Sequence, residues 1–231
     1  MGGRGGSSHR ATGGGGNLQN LTTVDQVNQW LRNQNWFAPY SRVSLNGIDI
    51  AAARGIAEAY KQVFDRYPQL KGFFNGVVSF SLGSGTYADC SLSSGPIRVS
   101  DSMYRSVTTL RQQYASDIRS NWHPVGTDWS AIVTHEIGHA IDGYITQRMR
   151  LSDASYSDWD FNSKTLRGKI AAKLGVSTDS ASIAREVSRY GATKSVEWFA
   201  ESFAEGMHSD TPRRMAKEFM AELDKILRRL R

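Results

Sequence analysis

Asp128-Trp129-Ser130-Ala131-Ile132-Val133-Thr134-His135-Glu136-Ile137-Gly138-His139-Ala140-Ile141-Asp142-Gly143-Tyr144 is the stretch on which the fold turns. Pro124 and Gly126 break the chain before it, and Thr127 or Asp128 can cap a helix predicted to run to about residue 149. Ile132, Val133, Ile137, Ala140, Ile141 and Tyr144 make that helix apolar over most of its circumference. A helix of this kind lies inside a domain, so the rest of the chain must supply the layers that cover it.

Upstream, Thr23 and Gln26 fit a capping box for a short helix over 23–33 whose Val24, Val27 and Leu31 share a face. Asn46-Gly47 marks a turn. Ala52, Ile56, Tyr60, Val63, Phe64 and Tyr67 recur at helical spacing until Pro68 stops them, which predicts a helix over 50–67 packed on a sheet. The period then shortens. Val77–Phe80, Thr86–Cys90 and Ile97–Val99 are strand-like runs divided by Gly, Ser and Pro, expected to pair in partly antiparallel fashion.

A helix at 102–118 precedes the central one, and further helices are expected to start near Ser163, Asp179, Thr193 and Pro212. Met215, Phe219, Leu223, Leu227 and Leu230 form the inner stripe of the last, leaving its basic residues on a solvated face. The order of helix, small sheet and then helices gives an α+β class: a small mixed sheet with a helix-rich C-terminal half. No internal repeat is visible.

The chain has 231 residues, 39% of them hydrophobic, which suffices for one core and one folded unit over 17–231. Residues 1–16 are glycine-rich with almost nothing to bury and are expected to form a flexible tail. The balance of 28 basic against 22 acidic residues is a modest excess without a Lys/Arg run, so nucleic acid is not an expected partner. No apolar stretch approaches the roughly 18 residues of a membrane span. No apolar signal segment is read at the start, so a soluble protein is expected, cytoplasmic or phage-associated. Met1-Gly2 opens like a myristoylation site, but Gly6 stands where Ser or Thr is needed. Cys90 is the only cysteine, so neither a disulfide nor a thiolate metal site can be built from this chain.

Within the central helix, His135 and His139 lie one turn apart on one face and can direct two imidazole nitrogens at a single ion. Glu136, beside the first histidine, can reach a water next to that ion and take its proton as general base. Gly138 can let a neighbouring element approach closely. The bland alternative is two surface histidines on an ordinary helix, and the apolar surroundings argue against it. A third protein ligand is still needed. Ile145 excludes the histidine that a metzincin would place there, and Asp142 is better suited to orienting an imidazole than to binding the ion itself. Glu197, Glu201 and Glu205, four residues apart beside Trp198, Phe199 and Phe203, form an acidic row on a partly buried helix that calls for a cation or hydrogen-bond donors.

Thr134-His135-Glu136-Ile137-Gly138-His139-Ala140-Ile141-Asp142, with Tyr190-Gly191-Ala192-Thr193-Lys194-Ser195-Val196-Glu197-Trp198-Phe199-Ala200-Glu201, resembles the anthrax lethal-factor type of zinc metallopeptidase. That gluzincin branch also contains secreted endopeptidases that cut at proline pairs. The match continues more loosely through Met207-His208-Ser209. The resemblance implies a zincin-like domain holding one zinc ion through His135, His139 and Glu197, with Glu201 bonded to a ligand histidine. It implies Tyr190, seven residues before Glu197, as the hydroxyl that stabilises the oxyanion, and a protein or peptide as substrate. The two blocks cover roughly a tenth of the chain. Residues 151–189 have no counterpart in the pattern, so cleavage specificity does not carry over. The glycine-rich opening resembles tails of some bacteriophage and mobile-element proteins. Two other readings compete: a zincin-fold structural or binding domain without turnover, which would have little reason to keep Glu136, and a cysteine hydrolase using Cys90 with His123, for which no motif speaks.

Overall fold

The computed structural model describes residues 17–90, 95–152 and 161–230. In chain order its elements are α1 (Val24–Arg32), β1 (Phe37–Ser44), α2 (Ile50–Arg66), β2 (Phe74–Phe80), β3 (Ala88–Asp89), β4 (Ile97–Ser100), α3 (Val107–Arg119), α4 (Ala131–Ser152), α5 (Phe161–Leu174), α6 (Ser180–Glu186), α7 (Ser195–His208) and α8 (Arg214–Arg229). Among the described residues these make an α+β fold of eight helices and one four-stranded mixed sheet, with the strands concentrated before residue 101. The expected tail at 1–16 lies outside the described residues.

Local signals set the first elements. Thr23 Oγ1 accepts from the Gln26 backbone N–H while Gln26 Oε1 accepts from that of Thr23, so the capping box closes at both ends. Asp49 caps α2 by accepting from the Ala51 N–H at 2.7 Å, and Tyr67 and Pro68 end it. At the head of α4 the Asp128 carboxylate, not Thr127, meets the Ser130 N–H at 2.8 Å, since Thr127 Oγ1 is turned to the Pro124 carbonyl.

The sheet runs in the order β1-β2-β4-β3. β1 and β4 both pair with β2 in parallel, and β3 closes the edge antiparallel to β4. Parallel neighbours need a crossover, and α2 supplies it between β1 and β2. No strand signal marks β1 in the sequence: Pro39 interrupts it, Tyr40 takes a positive φ of 66°, and the register slips between Phe37 and Arg42. Gly76 fits against that slip. Its φ is 96°, and a Cβ there would stand 2.0 Å from the Arg42 carbonyl oxygen.

α2 covers the sheet through aromatic packing. Trp36 stacks on Phe64 at 5.2 Å, Phe64 meets Phe74 edge-on at 5.3 Å, and the buried Tyr60 hydroxyl donates to the Gly76 carbonyl at 3.2 Å. α4 lies against β3 and β4 and is crossed by α7. The crossing is close because Gly138 has no side chain: a Cβ there would be 3.0 Å from the Ala200 Cα and 3.4 Å from Phe203. α8 closes the far side of α7 with Met215, Phe219, Leu223 and Leu227, all buried, and Phe219 packs edge-on against Phe199 at 4.7 Å. Each such side chain contributes about 1.5–3 kcal/mol on burial. Among the described residues no helix is long and apolar enough to cross a membrane.

Candidate metal centre

α4 presents His135 and His139 one turn apart, and their rings stand nearly perpendicular with centroids 4.7 Å apart. α7 brings Glu197 to them in its first turn. Glu197 Oε2 lies 3.2 Å from His135 Nε2 and 3.1 Å from His139 Nε2, and one ligand atom from each of the three residues falls within 4.8 Å of the others. Tetrahedral zinc with arms of about 2.0–2.1 Å has ligand-to-ligand edges of roughly 3.4 Å, so the two distances from Glu197 and the N/N/O donor set suit a divalent cation such as that ion. Gly138, between the histidines, allows the approach of α7 that puts Glu197 in reach.

The three glutamates of α7 have three different fates. Glu197 faces the imidazoles. Glu201, 1% exposed, accepts from Ser188 Oγ at 2.7 Å through Oε2. Its Oε1 sits 3.1 Å from His123 Nδ1 and 2.7 Å from His135 Nδ1, the latter contact lying off the line of an ideal hydrogen bond. Glu205, fully buried, is held by Arg213 through its backbone N–H at 2.7 Å and its guanidinium at 2.8 Å. Glu205 is thus neutralised within the fold and has no part in the cluster.

The charges at this centre pull on one another. Burial penalises the Glu197 carboxylate, but His135 and His139 outweigh that and hold it well below the usual carboxylate range. Burial likewise works against Glu201, yet hydrogen bonding to His123 and His135 brings it down to about 2. His135 responds in the opposite sense, pushed up by Glu197 and Glu201 in spite of burial. Two buried carboxylates therefore call for one positive charge among the imidazoles, and a divalent cation on the three ligand atoms meets that demand as a proton on His135 does.

Glu136 is 7% exposed, lies beside His135, and receives no hydrogen bond from the described residues. Burial raises its pKa, with the two histidines opposing the shift. Tyr190 is positioned by a turn pinned to the loop before α4: the Arg189 N–H donates to the Asn121 carbonyl at 2.8 Å and the Tyr190 N–H to that of Trp122 at 3.1 Å. Asn121 makes the bend with a φ of 56°, which asparagine tolerates better than most residues. The Tyr190 ring is sandwiched between Trp122, at 5.3 Å, and His135, at 5.6 Å. Burial, then the nearby Glu197 charge, raises its hydroxyl pKa, so the phenol stays protonated.

A cavity of about 700 Å³ opens beside this centre, and His135, Glu136, His123 and Tyr190 are among the residues that line it. His139 and Glu197 do not line it. The structure therefore brings together His135, Glu136, His139, Tyr190, Glu197 and Glu201. It does not bring Asp142 to the imidazoles. Asp142 is buried and accepts from Asn162 Nδ2 of α5 at 2.6 Å, because α5 packs on α4 at that level and supplies an amide that satisfies the carboxylate.

Two contributors had no signal in the sequence. His123 and Ser188 sit in loops that come together only when Glu201 is placed between them. His123 is stacked on Tyr114 at 5.0 Å and turned to Glu201. Burial pushes the Cys90 thiol up, away from the thiolate that a cysteine hydrolase would need. Thr134 Oγ1 meets His208 Nε2 at 2.6 Å, which ties the end of α7 to the start of α4. The chain matches no protein-family model, no curated protein and no solved structure.

Proposed function

We propose that this protein is a zinc-dependent endopeptidase of zincin type, in keeping with its resemblance to the lethal-factor group. One observation carries the reading: His135, His139 and Glu197 converge on one point, and Glu136, beside His135 and without a hydrogen bond from any described residue, lines the adjoining cavity. His135 Nε2, His139 Nε2 and a Glu197 oxygen would hold the ion. Zinc there supplies Lewis acidity, polarising a carbonyl and making a neighbouring water acidic near neutral pH.

The remaining work belongs to the side chains. Glu136 accepts the proton of the attacking water on its carboxylate and passes it to the departing amine. Tyr190 Oη donates to the carbonyl oxygen as negative charge develops on it, and sandwiching between Trp122 and His135 holds the phenol for that purpose. Glu201 keeps the His135 ring in place, with Ser188 and His123 fixing the carboxylate in turn. A structural or binding domain without turnover gives no role to a carboxylate facing the cavity at position 136.

The test is zinc content and hydrolysis of a fluorogenic peptide library by the wild type beside Glu136→Gln and Tyr190→Phe. All three proteins should hold about one zinc per chain. Glu136→Gln should lose several orders of magnitude in turnover, and Tyr190→Phe roughly a hundred- to thousand-fold in kcat with little change in KM. Equal turnover in wild type and Glu136→Gln would end the proposal.

A further inference from the structure

The cavity beside the metal centre is lined by a second group of side chains as well. These are Asp117, Gln113 and Tyr114 of α3, Tyr87 ahead of β3, and Trp122. Of its lining side chains Asp117, Glu136 and Glu201 are acidic, and no lysine or arginine lines it among the described residues. Glu201 is spent on His123, His135 and Ser188. Asp117 is not. Its Oδ2 accepts from the Tyr87 hydroxyl at 2.6 Å, while Oδ1 has only the Gln113 amide at 3.5 Å.

Asp117 makes no ion pair with any described residue, although the Arg189 guanidinium stands over the outer Trp122 ring at 5.8 Å and touches the Ser120 carbonyl at 3.5 Å. The half-buried carboxylate keeps unused acceptor capacity in a cavity that the Tyr87 and Tyr114 side chains also line, and Glu136 lines the same cavity. Aromatic faces and a carboxylate together suit an extended cation: the rings take the alkyl stem and attract the charge, and the carboxylate fixes the head.

We propose that the part of the cavity lined by Asp117 is a subsite for a lysine or arginine side chain of the substrate, with Asp117 as its selecting residue. The proposal rests on the peptidase reading for the identity of the ligand as a peptide, but the subsite can be probed without turnover. The full chain would be titrated with n-butylguanidinium and with its neutral counterpart pentanamide, following backbone amides and the Trp122 indole by NMR. The cation should shift signals of Gln113–Asp117 and Trp122 saturably, whereas pentanamide leaves them in place. Asp117→Asn should abolish the response and Asp117→Glu should restore most of it. Unchanged signals far from the cavity confirm that both variants are folded.

In a second arm, peptides differing only by Lys, Arg, norleucine or Glu at successive positions would be digested. At one position Lys or Arg should be preferred over norleucine by about ten-fold, the preference should vanish in Asp117→Asn, and it should reverse toward Glu in Asp117→Lys. A saturable cation response with no peptide cleaved would remove the peptidase reading and leave the subsite standing. Cleavage with norleucine equal to Lys at every position, or a cation response unaltered by Asp117→Asn, would overturn the subsite and leave the peptidase reading untouched.

Discussion

On α7, Glu197, Glu201 and Glu205 follow one another at a spacing of one turn; on α8, Glu218 and Glu222 have the same spacing. Burial does not separate the two rows. The Glu222 side chain is 6% exposed and that of Glu218 17%, against 13% for Glu197 and 1% for Glu201. The partners do. On α8 the carboxylates are covered by Lys169, Lys173 and Lys225, long side chains more than half exposed, so each charge is answered by a cation that the chain carries and water screens. On α7 Glu205 has its arginine, whereas Glu197 and Glu201 face imidazoles. An imidazole answers a carboxylate by donating an N–H, by binding a second proton or by sharing an ion with it, so this row, unlike that of α8, is built of groups able to hold a cation.

The comparison can be broken most severely at Glu197. Glu197→Ala should leave two nitrogen ligands and strip the zinc, where Glu222→Ala keeps it. The check is metal content after dialysis against a weak chelator, and equal retention by the two variants would show that the rows are alike. Glu205 sharpens the comparison from the side of stability. Glu205→Ala leaves the Arg213 guanidinium against the Val187 carbonyl with no countercharge and should cost about 3 kcal/mol in denaturant unfolding, with zinc affinity unchanged once the protein is folded.

The smallest effect lies on α8. Lys169, then Lys225, lower the Glu222 pKa from 4.5 to about 2, so its contribution is complete above the ordinary carboxylate value and is lost as pH falls toward 2. At neutral pH the pairs should be worth less than about 1 kcal/mol. The melting temperatures of wild type and Glu222→Gln should therefore differ slightly at pH 6 and converge near pH 2. A gap that persists at pH 2 would mean that packing, not charge, holds this residue.

How far the sequence revealed this molecule depends on how local the cause was. The capping box at Thr23, the Pro68 stop and the stripe on α8 are one-helix effects, and each is where the spacing puts it. His135 and His139 share a helix face for the same reason. Residues 86–90 read as a strand, yet only Ala88–Asp89 pair, because β4 gives them just two partners. β1 was invisible, since its slipped register is defined by Gly76 on another strand. Asp142 went to Asn162 and Glu201 gained His123 because in both cases the partner arrives from a distant part of the chain. Parallel pairing on both sides of β2 was likewise not legible in the strand runs: α2 makes the crossover from β1, whereas the connection from β2 to β4 runs through the edge strand β3.

Glu197 meets His139 across 58 residues of chain, an interval that contains α5 and α6. Whatever joins those two side chains acts as a clasp at the neck of a long loop. The entropy of closing such a loop grows only with the logarithm of its length, about 0.6 kcal/mol for each doubling. Material can therefore be added to or removed from the interval at small thermodynamic expense while the clasp stays in register. Closing the clasp thus sets little limit on the length of the interval, and what holds its described part is the packing of α5 on α4, α7 and α8, with Leu166 and Ile170 in the core.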